Sequence, residues 1–280
     1  MDTKKVWFIT GASKGLGLSF VRELLSEGYL VAATSRNKQA LVDSIGDHEN
    51  FLPLTMDVTG DEDVKQTVGK VIERFGRIDV MVNNAGYSQI GTVEELSDEE
   101  VRRNFDVNVF GALNVIRHVA PHLRQQQSGH IFNIASIGGI AGDFPAFGIY
   151  CSTKFAMAGF TEALAEEMKP FGIHTTLIYP AYFRTNFLEK DSAMLPANPI
   201  AAYANAREVE AAHVNDINGN QPNDPEKAAK VLIELSKQEN PPVHFFMGVG
   251  AEEFVRGKIK VVEQALEENR ELAISTAISE

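Results

Sequence analysis

The chain has 280 residues, 44% of them hydrophobic, which is enough for one large α/β core or for two small domains. Its 38 acidic and 26 basic residues give a formal net charge of −12, which argues against a nucleic-acid partner held through its phosphates. The single cysteine, Cys151, excludes an intramolecular disulfide and a zinc site built from several thiolates. No apolar run has the length of a membrane span, and the first one breaks into glycines too soon for a signal peptide, so we expect a cytoplasmic protein.

Seven short segments are predicted to be buried strands, because they are continuously apolar and rich in β-branched and aromatic residues. In chain order they span residues 5–10, 29–35, 50–56, 78–84, 130–136, 174–180 and 242–248. Longer segments between them carry apolar residues at helical spacing. These predict helices over residues 16–28, 61–76, 97–119, 150–172 and 224–238, with Ser97 and Asp224 as N-caps.

The regular alternation of strand and helix predicts βαβ units, and therefore a doubly wound parallel sheet with helices on both faces. We expect an α/β protein of the Rossmann type with a seven-stranded sheet, forming a single domain over residues 1–280. Two segments depart from the alternation. Residues 182–222 form a long insertion between two strands, which is typical of a substrate lid. Residues 251–280 predict an acidic amphipathic helix with a frayed tail.

A glycine-rich turn, TGASKGLG, joins the first strand to the first helix. Gly11 allows a tight turn, Gly15 allows the backbone to approach a phosphate, and Gly17 allows the helix to pack closely on the sheet. The free N–H groups at a helix N-terminus attract a pyrophosphate. Glycines also occur in simple flexible turns, but the strand–turn–helix setting favours a dinucleotide site.

The end of the second strand indicates which dinucleotide binds. Sheets that bind NAD usually place an acidic residue there, about 20 residues beyond the glycines, to accept the ribose hydroxyls. This chain has Ser35 and Arg36 instead, and Lys14 in the glycine turn can face the same place. Two cations and a hydroxyl suit a 2′-phosphate, so we expect NADP(H) rather than NAD, unless both cations are ordinary surface charges.

Three motifs occur in a characteristic order: the glycine turn, the stretch NNAG at residues 83–86, and Tyr150 followed four residues later by Lys154. With them the chain resembles the short-chain dehydrogenase/reductase family over about residues 4–190. Within that family it is similar to the single-domain NADP-dependent carbonyl reductases and to hydroxysteroid-dehydrogenase-like members. The resemblance implies an oxidoreductase with a nicotinamide cofactor, and association into a homodimer or homotetramer through helices around residues 98–125 and 150–170.

The resemblance and the glycine turn together assign most of the predicted site. The expected catalytic residues are Asn108, Ser136, Tyr150 and Lys154. The expected cofactor-binding residues are Gly11, Ser13, Lys14, Gly15, Leu16, Gly17, Ser35, Arg36, Asp57, Val58, Asn84, Ala85, Gly86, Tyr150, Lys154, Pro180 and Thr185. No metal ion is expected. His118 and His122 are spaced like a helical metal pair but lack the glutamate of a zinc helix, and we interpret them as surface or interface residues.

The predicted chemistry is reduction of a carbonyl group. Tyr150 supplies the proton, but a free phenol has a pKa near 10, so a nearby cation is needed to lower it. Lys154 lies on the same helical face and can do this while also binding the nicotinamide ribose. Ser136 polarises the carbonyl, and Asn108 holds a water that connects Lys154 to solvent. A Tyr–Lys pair alone is often only a surface pair; the other motifs favour catalysis.

The substrate is less well defined. Apolar and aromatic residues near the start of the lid predict an apolar or aromatic carbonyl compound, although they can equally pack the underside of the lid. Predicted pocket walls are Gln89, Phe144, Tyr182 and Phe187. Cys151 has no histidine in its motif and is interpreted as a small core residue. Two other functions stay open: an NADP-linked alcohol or hydroxysteroid dehydrogenase acting oxidatively, and a non-catalytic NADP-sensing protein.

Overall fold

The structure is a computed structural model that describes residues 4–278. Its strands are β1 Val6–Ile9, β2 Leu30–Ser35, β3 Phe51–Thr55, β4 Val80–Asn83, β5 Ser88–Gln89, β6 Gly129–Ile134, β7 Ile173–Pro180, β8 Ala193–Met194 and β9 His244–Met247. Its α-helices are α1 Gly15–Ser26, α2 Lys38–Ile45, α3 Asp61–Phe75, α4 Asp98–Phe105, α5 Gly111–Gln126, α6 Gly148–Met168, α7 Ala204–Ala211, α8 Pro225–Lys237, α9 Ala251–Glu268 and α10 Arg270–Ile274.

The seven strands predicted from the sequence form one parallel sheet in the order β3-β2-β1-β4-β6-β7-β9. The predicted single-domain Rossmann fold is therefore confirmed. The strand order reverses its direction of growth between β1 and β4, and in such sheets the crevice at the carboxyl ends of the strands is where ligands bind. The short strands β5 and β8 form a separate parallel pair outside this sheet.

The core lies on both faces of the sheet, because successive strand residues point to opposite sides. Trp7 packs with α1 and α8 on one face, and its neighbour Phe8 packs with α3 and α5 on the other; both are fully buried. Each such side chain contributes about 2–3 kcal/mol through removal of its apolar surface from water. This two-sided burial explains why the strands are continuously apolar in sequence.

The helices differ from the sequence prediction in three places. The short helix α2 was not predicted, although Asn37 caps it by accepting a hydrogen bond from the N–H of Gln39 at 3.0 Å. The helix predicted over 97–119 is interrupted by a π-helical segment, Asp106–Phe110, and continues to Gln126 with Pro121 inside it. The predicted helix 150–172 begins earlier, at Gly148, and becomes a 3₁₀ turn after Met168.

The insertion after β7 and the carboxyl-terminal helix lie outside the sandwich of sheet and helices. The insertion contains β8, α7 and a π-helical segment, Ala212–Ile217. The helix α9 packs on the body through its first turns, where Ala251 and Val255 are buried, and every residue in 259–278 is exposed. Among residues 4–278, no helix combines the length and the apolar character that crossing a membrane requires.

Candidate active site

A cleft of about 850 Å³ lies at the carboxyl ends of the central strands. Its walls come from the glycine turn, the ends of β2, β3, β4, β6 and β7, the start of α6, and the insertion. All of the predicted catalytic, cofactor-binding and pocket residues line this cleft except two, Gly17 and Asn108. The fold therefore brings together residues that lie far apart in sequence, such as Gly11 and Thr185, which are 174 positions apart.

Each of the three glycines in the turn is explained by a different structural feature. Gly11 has a φ of +64°, and a Cβ atom there would lie 2.6 Å from the Cα of Ala85, so the turn has no room for a side chain. Gly15 also has a positive φ, +59°, but its Cβ would meet only Thr185, at 3.7 Å. Gly15 therefore faces open cleft, whereas Gly11 is held against the loop after β4.

Gly17 does not face the cleft, which corrects its assignment as a cofactor contact. A Cβ at this position would lie 2.5 Å from Nδ2 of Asn84 and 2.8 Å from the carbonyl oxygen of Gly11. The missing side chain makes room for the Asn84 amide, which donates hydrogen bonds to the carbonyl oxygens of Thr10 and Gly11 at 3.0 and 2.9 Å. Gly17 therefore serves the packing that holds the turn in shape.

Thr10, which the sequence analysis did not assign, holds the turn from the strand side. Its buried hydroxyl accepts hydrogen bonds from the backbone N–H groups of Asn84 and Ala85 at 3.1 and 3.0 Å. The residue stands directly before Gly11 in the quoted motif, so its position was visible. Its role depends on the loop after β4, more than 70 residues away, and that contact leaves no local pattern.

The N-terminus of α1 has the features of an anion site. Its N-cap residue, Lys14, makes no side-chain hydrogen bond to the first turn, so the initial N–H groups have no side-chain acceptor. These groups and the positive end of the helix dipole face the cleft beside Gly15. The uncapped helix end, the open position at Gly15 and the size of the cleft fit a pyrophosphate-linked dinucleotide.

The outer end of the cleft is positively charged near β2. Arg36 and Lys14 both line the cleft and are exposed, and neither forms a salt bridge within residues 4–278. Ser35 ends β2, and its hydroxyl oxygen accepts a hydrogen bond from the N–H of Asn37 at 3.1 Å. No carboxylate ends β2, where an NAD-binding sheet usually has one.

Asp57 and Val58 line the next part of the cleft, as expected from the sequence. The carboxylate of Asp57 is engaged locally, because one of its oxygens accepts from the N–H and hydroxyl of Thr59 at 3.0 and 2.8 Å. The carbonyl of Val58 accepts a hydrogen bond from Nδ2 of Asn114 at 3.0 Å. These contacts fix the loop after β3 and leave its backbone and the Val58 side chain to face a ligand.

Ser136, Tyr150 and Lys154 lie together deeper in the same cleft. Ser136 follows β6, and its Oγ accepts a hydrogen bond from the N–H of Gly138 at 3.1 Å. That contact leaves the hydroxyl hydrogen of Ser136 available for another acceptor. A Cβ on Gly138 would lie 3.5 Å from this Oγ and 3.8 Å from Cε1 of Tyr150, so the glycine keeps the space between them open.

Burial governs the pKa values of both Tyr150 and Lys154. It raises the pKa of Tyr150 above its ordinary value, and the hydrogen bond with the Ser136 hydroxyl opposes this shift. The lowering of this pKa by Lys154 stays a prediction. The lysine is itself buried, which lowers the pKa of its ammonium to about 8. Its Nζ donates to the carbonyl oxygen of Ile134 at 2.9 Å and lies 5.8 Å from the centre of the Tyr150 ring. At neutral pH Tyr150 is therefore a neutral phenol, and Lys154 is still mostly an ammonium.

Asn108 lies behind the cleft wall, fully buried in the π-helical segment. Its Oδ1 accepts from the N–H of Tyr87 at 3.0 Å, and its Nδ2 donates to the Tyr87 carbonyl at 2.9 Å and to Oγ1 of Thr153 at 3.0 Å. Both amide hydrogens are thus used, so a water could bind this side chain only by donating to Oδ1. Asn108 therefore positions the loop after β4 and the helix that carries Tyr150, and the water relay stays a prediction that would use Oδ1.

The predicted pocket walls surround Tyr150. The ring of Phe187 lies 5.9 Å from that of Tyr150, and Phe144 packs against Phe254 of α9 at 5.6 Å. Gln89 lines the cleft but is buried, and its Nε2 donates to the carbonyl oxygen of Met194 at 3.2 Å across the β5–β8 pair. These contacts support both interpretations of the insertion, as the wall of a substrate pocket and as a lid that packs its own underside. Its apolar residues pack on the body of the protein and also face the cleft.

A hydrogen-bonded pair in the insertion, half-buried Tyr182 and buried His213, was not predicted from the sequence. Nδ1 of His213 lies 2.8 Å from the carbonyl oxygen of Val209, which assigns the ring hydrogen to that nitrogen. The hydroxyl of Tyr182 then donates to Nε2, 3.0 Å away. Burial lowers the pKa of His213, which is consistent with this neutral form. The pair joins the start of the insertion to its later part, and both residues line the cleft.

Cys151 is a buried residue, as the sequence indicated, and His118 and His122 are half-buried. Cys151 is buried beside Tyr150, and burial raises the pKa of its thiol to about 11, so it is a poor nucleophile. Nε2 of His118 lies 3.0 Å from a carboxylate oxygen of Asp61. Residues 4–278 contain no cluster of three or more His, Cys, Asp or Glu side chains placed to bind a metal ion.

Comparisons with known proteins agree with this arrangement. A family model described as short chain dehydrogenase matches residues 5–196. Oxidoreductase BOA17 of Botryotinia fuckeliana is 35% identical over 98% of this chain and 99% of its own length. The 3-ketodihydrosphingosine reductase of Bacteroides thetaiotaomicron is 34% identical over 87% of this chain and 88% of its own. A solved short-chain dehydrogenase structure from Streptomyces avermitilis superposes with a TM-score of 0.91 at 33% identity, covering 99% of this chain and 100% of that one.

Proposed function

This chain belongs to the short-chain dehydrogenase/reductase family, and we propose that it is an NADPH-dependent reductase that converts a ketone or aldehyde into an alcohol. Oxidoreductases of this family use a nicotinamide cofactor. The observation that carries the proposal is that Ser136, Tyr150 and Lys154 line one cleft with the uncapped glycine turn. A proton donor, a hydrogen-bond donor and a cation therefore face the space that the turn prepares for a dinucleotide.

The proposed chemistry divides between cofactor and protein. The nicotinamide cofactor supplies the hydride when it is bound. Tyr150 donates its phenolic proton to the carbonyl oxygen of the substrate, and the free hydroxyl hydrogen of Ser136 stabilises the charge that develops on the same oxygen. Lys154 uses one of its three N–H donors on Ile134, so two remain for hydroxyl groups of the cofactor ribose.

The proposed direction is reduction, and Tyr150 enters that step as a neutral phenol, because burial raises its pKa. The same proton transfer run backwards serves the oxidation of an alcohol. The neighbouring relative named as a 3-ketodihydrosphingosine reductase is, by its name, also a ketone reductase.

The preference for NADPH is proposed from the charges at the end of β2. Arg36 and Lys14 are exposed cations on the cleft wall, and no acidic residue ends this strand. A planar guanidinium binds a phosphate through paired hydrogen bonds, whereas it offers nothing equivalent to a neutral ribose hydroxyl pair. Binding of the 2′-phosphate of NADPH therefore explains the presence of these two cations better than binding of NADH, which has no such phosphate.

The proposed substrate is an apolar or aromatic carbonyl compound. The inner cleft is lined by aromatic and aliphatic side chains from the α6 side and the insertion, namely Phe144, Phe147, Phe187, Leu188, Met194 and Leu195. We also propose association of copies through α4, α5 and α6. Phe110, in the π-helical segment between α4 and α5, and Phe155, on α6, are 53% and 41% exposed in the single chain, and an interface there would cover both.

The first test is a screen for oxidation of NADPH and NADH by a panel of aromatic ketones, diketones, aldehydes and steroids, followed by near-ultraviolet absorbance. Tyr150→Phe should reduce turnover at least about 100-fold while leaving NADPH affinity nearly unchanged, because only the transferable proton is lost. Tyr29→Phe is the matched control, since Tyr29 lies on α1's side of the core, away from the cleft. Full activity in Tyr150→Phe would refute the proton-donor role. Cofactor binding without turnover across the panel would favour the sensor hypothesis.

The cofactor preference needs a separate test. Arg36→Ala should raise the KM for NADPH about tenfold or more and leave that for NADH almost unchanged, because a charge-assisted contact to a phosphate is lost. Lys38→Ala, two residues further on and also exposed, is the control because Lys38 does not line the cleft. Equal changes for both cofactors would contradict the 2′-phosphate assignment.

A further inference from the structure

The carboxyl-terminal helix carries apolar side chains that nothing covers in the single chain. Half of the large exposed hydrophobic residues among residues 4–278 lie in the last twenty described positions. They are Ile259, Val261, Val262, Leu266, Leu272, Ile274 and Ile278. Beyond its first turns α9 makes no buried contact, and every residue from 259 to 278 is exposed. A helix segment of this length is only marginally stable in water by itself. Packing of its apolar face against another surface would stabilise it.

The apolar residues of α9 form a stripe with a definite repeat. Val255, Ile259, Val262 and Leu266 are separated by four, three and four positions, which is the a/d spacing of a two-helix coiled coil. Val255 packs on the body of its own chain, while the other three are 48%, 44% and 68% exposed. The stripe therefore starts in the core of the protein and continues, without a break, onto a free surface.

The two halves of α9 have net charges of opposite sign. Residues 251–260 carry three basic side chains, Arg256, Lys258 and Lys260, and two acidic ones, Glu252 and Glu253; Nε of Arg256 lies 2.7 Å from a carboxylate oxygen of Glu252. Residues 261–268 carry three acidic side chains, Glu263, Glu267 and Glu268, and no basic one. Two copies of this helix placed antiparallel set the basic half of each against the acidic half of the other. The helix is thus electrostatically complementary to itself in that orientation.

We propose that this stripe is an interface with α9 of a second copy of the chain, in antiparallel orientation. The register follows from the heptad positions. Ile259 of one copy lies in the same layer as Val262 of the other. Leu266 lies in the layer of Val255 at the start of the partner helix. Arg256 and Glu263 each follow a stripe residue directly, so they face each other twice across the two-fold axis. A slip of one heptad would instead place Glu263 opposite Glu263, which is repulsive.

The same pattern argues against a membrane surface as the partner. Interfacial helices that bind anionic lipids carry lysine and arginine along their polar face. Over residues 251–278 the acidic side chains outnumber the basic ones, and the acidic half is the end that projects furthest. The surface is also distinct from the association proposed through α4, α5 and α6, so both interfaces can exist in one assembly.

The first experiment compares Val262→Asp with Val261→Asp by sedimentation equilibrium. Both valines are exposed, at 44% and 61%, but only Val262 lies on the stripe. Val262→Asp should halve the mass of the assembly, and Val261→Asp should leave it unchanged. A wild-type monomer, or the same mass for all three proteins, overturns the proposal. Sedimentation of wild type, but not Val262→Asp, with phosphatidylcholine or phosphatidylserine vesicles also overturns it, in favour of a lipid surface.

Cross-linking tests the orientation. A mixture of Arg256→Cys and Glu263→Cys proteins should form disulfide-linked dimers under mild oxidation, whereas each variant alone should not. The native Cys151 is buried and does not interfere. Dimers from Arg256→Cys alone would show a parallel pairing and overturn the antiparallel register. As a charge test, Arg256→Glu should weaken the assembly at least about tenfold, and the double change with Glu263→Arg should restore it; failure of the double change to restore it contradicts the pairing.

Discussion

Lys154 should cost the protein stability at neutral pH, and the cost should disappear at alkaline pH. Its ammonium is buried, and burial lowers its pKa from 10.5 to about 8. The unfolded chain, with the higher pKa, binds the proton more tightly than the folded protein does. Protonation therefore favours unfolding, so the stability of the wild type rises as the pH increases from about 8 to about 10.5.

The size of this effect follows from the two pKa values. The difference between 10.5 and about 8 corresponds to about 3.4 kcal/mol when the titration is complete. Much of this difference can be measured at an accessible pH. Between about pH 7 and about pH 9.5 the free energy of unfolding of wild type should rise by about 2 kcal/mol from this group. Lys154→Met removes the titrating group and keeps a side chain of similar shape, so it removes the gain.

The assay is urea unfolding of wild type and Lys154→Met at a series of pH values, analysed as the difference in free energy of unfolding between them. Other groups that titrate cancel in this difference. Lys169→Met is the control, because Lys169 follows the same helix and its side chain is 75% exposed. The difference for Lys154 should grow by about 2 kcal/mol in favour of wild type from about pH 7 to about pH 9.5, and that for Lys169 should stay flat. A flat difference for Lys154 would refute the burial argument.

Three further predictions follow, one for the sheet and two for the glycine turn. His130 is buried, and burial lowers its pKa from 6.5 to about 3, so the folded state loses stability as the pH falls below 6.5. At about pH 5 the free energy of unfolding of wild type, measured by thermal unfolding, should be about 2 kcal/mol lower than at neutral pH. The His48→Gln protein should show the same loss, and the His130→Gln protein should not. Equal pH profiles for all three proteins would contradict the prediction. Gly11→Ala should destabilise the fold by about 2 kcal/mol or more, because its Cβ would meet the backbone of Ala85 at 2.6 Å. Gly15→Ala, in open cleft, should cost only about 1 kcal/mol but weaken NADPH binding strongly; a titration showing unchanged affinity would count against the phosphate site.

The fold was predictable because its signals are local. Each central strand is buried on both faces and therefore appears as a continuous apolar run, and Ser97 and Asp224 mark helix starts by hydrogen bonds to their own first turns. The helix α2 shows the limit of this reasoning. It has eight residues, and only Leu41 among them is buried, so the apolar repeat is too short to recognise. Its cap at Asn37 was the available signal.

The inner part of the candidate site was less predictable because its contacts are long-range. Strands β5 and β8 pair over only two residues each, and they are more than 100 positions apart. His213 meets Tyr182 across 31 positions of an irregular insertion. Neither contact imposes a periodicity on the sequence. Composition could therefore indicate an apolar lid, but the partners of its polar residues required the folded chain.

Asn108 shows why residue identity alone does not determine a role. The sequence placed Asn108 on a predicted helix, and its match to the family's asparagine led to the prediction of a water relay to Lys154. In the folded chain, the π-helical segment turns this amide toward Tyr87 and Thr153, which use both of its hydrogens. The hydroxyl of Thr153 in turn donates to the carbonyl of Tyr150 at 2.7 Å. Asn108 therefore acts on the proposed proton donor through the backbone of α6, so its replacement should displace Tyr150 before it affects any proton transfer.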